Sequence, residues 1–155
     1  MKKGFTLIEA LMVVLIIGIF AMAAMPGFVN TYNAIKIEGA YKQLIQDIRY
    51  AKQLAINLEL THGILFDCAQ NSYSIYRQTS ANIVNDPTTQ RPLTVTYASG
   101  KFSGVTIANT TFNLPAQDTL EFDSFGVPSC GGTITLSYSG ITKTITVEAN
   151  TGRVI

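Results

Sequence analysis

Glu9 places a carboxylate inside an apolar run from Phe5 to Met25, where Thr6 is the only other clearly polar side chain. On insertion scales such a group costs on the order of 2.5–3.5 kcal/mol at mid-membrane, and residues of this kind are usually functional. Its useful chemistry is charge pairing, because an opposite charge brought into register offsets that cost in a dry helix bundle. A milder explanation is also open: Glu9 lies about 6 Å of helix rise from Phe5 and could reach an interface. The other chemically capable residues are few. They are one histidine, His62, two cysteines, Cys68 and Cys130, and a carboxyl-terminal Arg153.

The element that positions Glu9 is a helix. From Phe5 to Met25 it would extend roughly 31 Å, about the thickness of a bilayer's hydrocarbon core. Lys2 and Lys3 precede it, so the amino end stays cytoplasmic and the rest of the chain crosses. Three processing schemes compete. The run could be a signal peptide cut near Ala21-Met22-Ala23 or Met22-Ala23-Ala24. It could be a plain anchor, or the cut could fall between Gly4 and Phe5 and leave the helix in the mature chain.

The segment Lys2-Lys3-Gly4-Phe5-Thr6-Leu7-Ile8-Glu9 resembles the class III signal of type IV pilins and secretion pseudopilins. The resemblance implies cleavage by a prepilin peptidase after Gly4 and methylation of Phe5 as the new terminus. It implies that Glu9 pairs with the terminal amine of a neighbouring subunit during assembly. Pro26 matches a proline at which many pilin helices bend or melt, so a helix break is expected there.

Beyond Pro26-Gly27, Ile37, Tyr41, Leu44, Ile48, Ala51, Ala55 and Leu58 recur at alternating steps of four and three, one stripe of an amphipathic helix. Glu38 and Lys42 form a favourable i,i+4 pair. From Thr61 the period becomes two. Strands are expected around Ile64–Phe66, Tyr73–Arg77, Leu93–Tyr97, Gly104–Ile107, Thr119–Phe122, Thr133–Tyr138 and Lys143–Val147. Ser139-Gly140 suits a two-residue hairpin, Asn85–Pro92 a polar loop, and Val154-Ile155 a last short strand.

The stretches Leu120–Pro128, Gly131–Leu136, Thr144–Val147 and Thr151–Val154, with Leu44–Ile56, resemble the GspH/FimT family. That family holds minor pilins and a type II secretion pseudopilin. The expected fold is therefore α+β and pilin-like: a long amino-terminal helix packed on an antiparallel, β-rich carboxyl-terminal head. The expected segments are a leader at 1–4, a transmembrane and filament-core helix at 5–29, an amphipathic helix at 30–58 and the head at 59–155. Expected partners are prepilin peptidase, the inner membrane, and other minor pilins with the major pilin or pseudopilins. The head would be periplasmic, and the subunit would be assembled into a pilus or pseudopilus.

Removing Met1–Gly4 takes the formal charge from +1 to −1, which argues against an obvious nucleic-acid binder. Some FimT-like minor pilins nevertheless bind DNA, through a Gly-Arg-x-Arg motif. Here it reads Gly152-Arg153-Val154-Ile155, with the second arginine missing. Lys101 and Lys143 could join Arg153, yet an arginine closing the last turn of a sheet is the favoured explanation. Cys68 and Cys130 would lie in an oxidising compartment and are expected to form a disulfide, with two free thiols as the alternative. His62 is expected to be a solvated residue of the helix-to-strand turn. With one histidine, no phosphate loop and no paired nucleophile and base, no cofactor or metal is expected and catalysis has little support.

Overall fold

The computed structural model describes residues 6–112 and 118–155. Helix α1 spans Leu7–Leu58. It opens on Thr6, whose extended backbone and side-chain oxygen, which accepts from the Glu9 N–H at 3.4 Å, satisfy one free donor of the first turn. It closes on Glu59 in the left-handed region. Pro26 does not end the helix, contrary to the expected break. A proline removes its own backbone donor, while the bonds of flanking turns remain; Thr31 Oγ1 even back-bonds to the Gly27 carbonyl at 2.9 Å.

Among the described residues eight strands follow: β1 (His62–Asp67), β2 (Ser72–Arg77), β3 (Thr79–Ile83), β4 (Thr94–Thr96), β5 (Thr106–Thr110), β6 (Thr119–Phe122), β7 (Gly132–Tyr138) and β8 (Ile141–Val147). One antiparallel sheet has the order β3-β2-β1-β6, with β4 also pairing β2; the second has the order β5-β7-β8. Ser139 and Gly140 both take positive φ and form the β7–β8 turn. Val154 bridges Val147 as the expected last short strand. Strand β3 was not anticipated. It is exposed at all five positions and has no apolar alternation to reveal it.

The core lies where α1 crosses both sheets. Ile37, Ala40, Leu44, Ile48, Ala51 and Ala55 are fully buried. From Ala40 onward they pack against Ile64, Ile75 and Leu120 from the first sheet and Ile134, Leu136 and Ile145 from the second. The expected stripe is thus correct at its centre, but Tyr41 is half-buried and Leu58 exposed. Leu58 is the last residue of the helix, beyond the sheets' cover. An aromatic row of Phe112, Phe66, Tyr73, Tyr97 and Phe102, with successive centroids 5.8–6.4 Å apart, fills the space beside the helix.

His62 is fully buried rather than solvated. It is the first residue of β1, which lies between β2 and β6, so Arg77 and Phe122 flank it. Its Nδ1 lies 2.8 Å from the Leu60 carbonyl, and its Nε2 has no partner among the described residues.

Candidate functional site

Glu9 occupies the first turn of α1, where the helix dipole favours a negative charge. Its surroundings are apolar and outward-facing. Leu7, Ile8, Leu11, Met12, Val14, Leu15, Ile17, Phe20, Met22, Phe28 and Val29 are all exposed, on every side of the helix. A helix that is apolar all round requires hydrocarbon or other helices as its surroundings. The helix is long and apolar enough to cross a membrane, and none of its most apolar stretch is covered by the head. A carboxylate therefore stands at the base of an uncovered apolar rod. The expected cleavage and methylation positions, Gly4 and Phe5, lie outside the described residues.

The head carries the remaining candidates. Arg153 is exposed on the turn after β8, with its N–H on Thr151 Oγ1 at 3.2 Å and its carbonyl accepting from Glu148 N at 3.0 Å. Gly152 at φ 60 makes this turn; a Cβ there would approach Phe122 to 3.0 Å. Lys52, on α1, reaches the same turn and donates to the Thr151 carbonyl at 2.6 Å. The suggested grouping of Arg153 with Lys143 and Lys101 does not form. Lys143 pairs with Glu38 at 3.0 Å, about 21 Å of helix rise from Lys52. Lys101 lies over the Phe102 ring, which packs against Gly39.

Cys68 and Cys130 are free thiols, not the expected disulfide. Strand register explains the separation. Cys68 lies four residues beyond Ile64 on the line of β1, whereas Cys130 follows Ser129, whose N–H bonds to Glu121 beside Gly63. That offset is roughly 13 Å along the strands, against the about 4.4–6.8 Å Cα separation of a disulfide. Burial pushes the Cys68 thiol above its ordinary value. Among the described residues, no three of His, Cys, Asp and Glu gather as a metal would require.

Two features escaped the sequence. Burial raises Asp47 above the usual carboxylate range, although it accepts from the Tyr73 hydroxyl at 2.6 Å. Burial first, then that neighbouring carboxylate and Tyr97, push Tyr73 well above its ordinary value. The second is Phe125, which is 85% exposed. Its loop is braced by hydrogen bonds: Asp123 Oδ1 accepts from the N–H groups of both Phe125 and Val127, at 2.9 and 2.8 Å. Asp123 three residues before Gly126 was the available signal for such a turn.

A long helix with an uncovered apolar half, a carboxylate in its first turn and two antiparallel sheets on its second half define a type IV pilin-like protein. Residues 1–25 match the prokaryotic N-terminal methylation motif. The chain is type IV pilin-like, of the GspH/FimT kind, and belongs to one family with the competence protein ComGD of Bacillus subtilis (strain 168). The two are 30% identical over 153 residues, 99% of this chain and 92% of that protein. The fold also matches solved structures. The minor pseudopilin EpsH from the type 2 secretion system of Vibrio cholerae superposes with a TM-score of 0.58 at 16% identity, over 76% of this chain and 94% of that one. The type IV minor pilin FimU of Pseudomonas aeruginosa gives 0.54 at 15% identity, over 76% and 85%. The motif and the apolar helix fit a membrane-anchored pilin with its head outside.

Proposed function

We propose that this chain is a minor pilin that helps to start a type IV filament and sits in its tip complex. The observation that carries this reading is Glu9, an exposed carboxylate in the first turn of an uncovered apolar helix. In a bundle of such helices it is satisfied by the terminal amine of an adjacent subunit, which sets register. The chain would remain in the membrane until that pairing draws it into the filament. Partner choice falls to the head, where Phe125 on its hydrogen-bonded loop offers an aromatic anchor of the kind that dominates interfaces. No step requires catalysis by this chain. Prepilin peptidase would supply processing between Gly4 and Phe5.

Two other readings share this architecture. A secretion pseudopilin is favoured by the EpsH likeness, and a DNA-handling subunit by the competence relative. The second gains some support from Lys52 and Arg153 meeting at one turn, although two cations make a small phosphate footprint. The test is a deletion strain complemented with the wild-type chain or Glu9→Ala. The assays are filament number, protein secretion and DNA uptake. The proposal expects filament number to fall in the deletion and to stay low with Glu9→Ala. Loss of secretion with normal filaments would transfer the subunit to a secretion machine. Loss of uptake alone, reproduced by Lys52→Ala with Arg153→Ala, would make it a DNA receptor.

A further inference from the structure

With the amphipathic helix counted as part of the head (residues 30–155), four of the head's five lysines gather at the end next to the apolar half of α1. Lys36 Nζ lies 4.7 Å from the Tyr138 ring centre and 5.7 Å from that of Tyr32, and donates to the Tyr138 hydroxyl at 3.3 Å. Lys42 and Lys143 sit 3.3 and 3.0 Å from the two oxygens of Glu38, and Lys143 also lies 5.6 Å from the Tyr41 ring centre. Lys101 is over Phe102, whose ring meets the helix at Gly39. The lysine pair holds the Glu38 carboxyl below its usual range. Exposed Ile35 and half-buried Ile141 line an open cavity of about 300 Å³ between helix and hairpin tip.

The charge is segregated. These four lysines against Glu38 leave a local charge of +3, while the other head residues, with five Lys or Arg against eight Asp or Glu, carry −3. Position matters as much as sign. Lys36 is about 10 Å of helix rise beyond Val29, close to the 5–7 Å depth of the polar layer outside a bilayer's hydrocarbon core, and a lysine stem spans the difference. Lysines interleaved with tyrosines at that depth are the composition that membrane interfaces select.

We infer that this lysine–tyrosine collar docks the unassembled head on an anionic lipid surface, holding the subunit upright until a filament extracts it. The inference rests on α1 being the membrane anchor. It also assigns the occupant, because the same helix that enters the bilayer brings only this end of the head against it. Each lysine near an anionic surface shifts the docked-to-free ratio about fivefold, so neutralising three shifts it roughly a hundredfold.

The chain has no tryptophan, so Ile141→Trp provides a single reporter beside Lys143. The full chain carrying it would be reconstituted into phosphatidylcholine vesicles, with and without phosphatidylglycerol, containing a headgroup-region quencher lipid. Flotation measures anchoring separately. The inference expects strong quenching in anionic vesicles, lost in neutral ones and at high salt. It expects quenching to be lost in a background of Lys36→Gln, Lys42→Gln and Lys101→Gln, and kept when the same three become arginine. Circular dichroism melting confirms that each variant is folded. A reporter unquenched in every vesicle while the chain still floats overturns the docking. So does quenching that ignores lipid charge, or a reporter quenched only when acidic subunits are added. Failure to float overturns the anchor itself.

Discussion

Replacing Tyr73 by Phe removes one hydroxyl and keeps the ring, which packs 6.2 Å from Phe66 and 5.9 Å from Tyr97. That hydroxyl donates to Asp47 at 2.6 Å, the short distance of a hydrogen bond to a charged acceptor. Such bonds contribute about 1.5–3 kcal/mol, and the carboxylate left behind is substantially buried. For a head of this size the melting temperature should fall by on the order of 10 °C. The loss should depend on pH. Asp47 is raised by burial, so it binds its proton more tightly folded than unfolded. Its own contribution to stability is fully present below the unfolded carboxylate pKa of about 3.9 and is lost as pH rises through the higher folded value. Removing the Tyr73 donor raises the folded value further, so the variant's deficit is largest near pH 7 and shrinks on acidification. The assay is circular dichroism melting of the full chain in detergent at several pH values. Asp47→Asn, which keeps an acceptor for Tyr73, should abolish this pH dependence without unfolding the head. A Tyr73→Phe deficit below about 0.5 kcal/mol, or one constant from pH 7 to pH 4, would refute the assigned role of the pair.

Three further outcomes follow from the packing. Ile48→Ala, at a fully buried position between the sheets, should cost about 2–5 kcal/mol in urea unfolding, whereas the exposed Ile35→Ala should change little. Gly63→Ala would put a Cβ 2.5 Å from the Tyr76 ring and force Tyr76 off its 2.6 Å bond to Glu121, for a loss of roughly 1–3 kcal/mol. Alkylation of the denatured chain without reductant should label both Cys68 and Cys130; a doubly protected chain would show that they are bridged.

What could be read from the residues alone follows the range of the interactions. The apolar run, the 37–55 stripe and the strands from Tyr73 to Val147 rest on local periodicity, and they correspond to elements of the fold. The Ser139-Gly140 turn was legible because two residues able to take positive φ separate two β-branched runs. Features set by distant pairing were hidden. His62 is buried because β2 and β6 close on both sides of it, a fact of register that no local window carries. The cysteines stay apart for the same reason. Strand β3 is an exposed edge entered through Gln78 at φ 63, and neither property leaves an alternating pattern. Lys52 meets the Arg153 turn across 99 positions of sequence. Pro26 shows the opposite limit, since a residue that breaks helices in general sits inside one continuous helix here. For the candidate site, Glu9 was conspicuous by its setting, while the Asp47–Tyr73 pair and the presentation of Phe125 needed the fold.

The most direct test of the account is mass spectrometry of the chain's amino-terminal peptide, recovered both from sheared surface filaments and from the cell envelope. The account predicts a peptide beginning at Phe5 and methylated there, present in filaments at low abundance beside a major subunit. A chain found only with Met1 intact, or cut after Ala23 or Ala24 so that Glu9 is discarded, would contradict it.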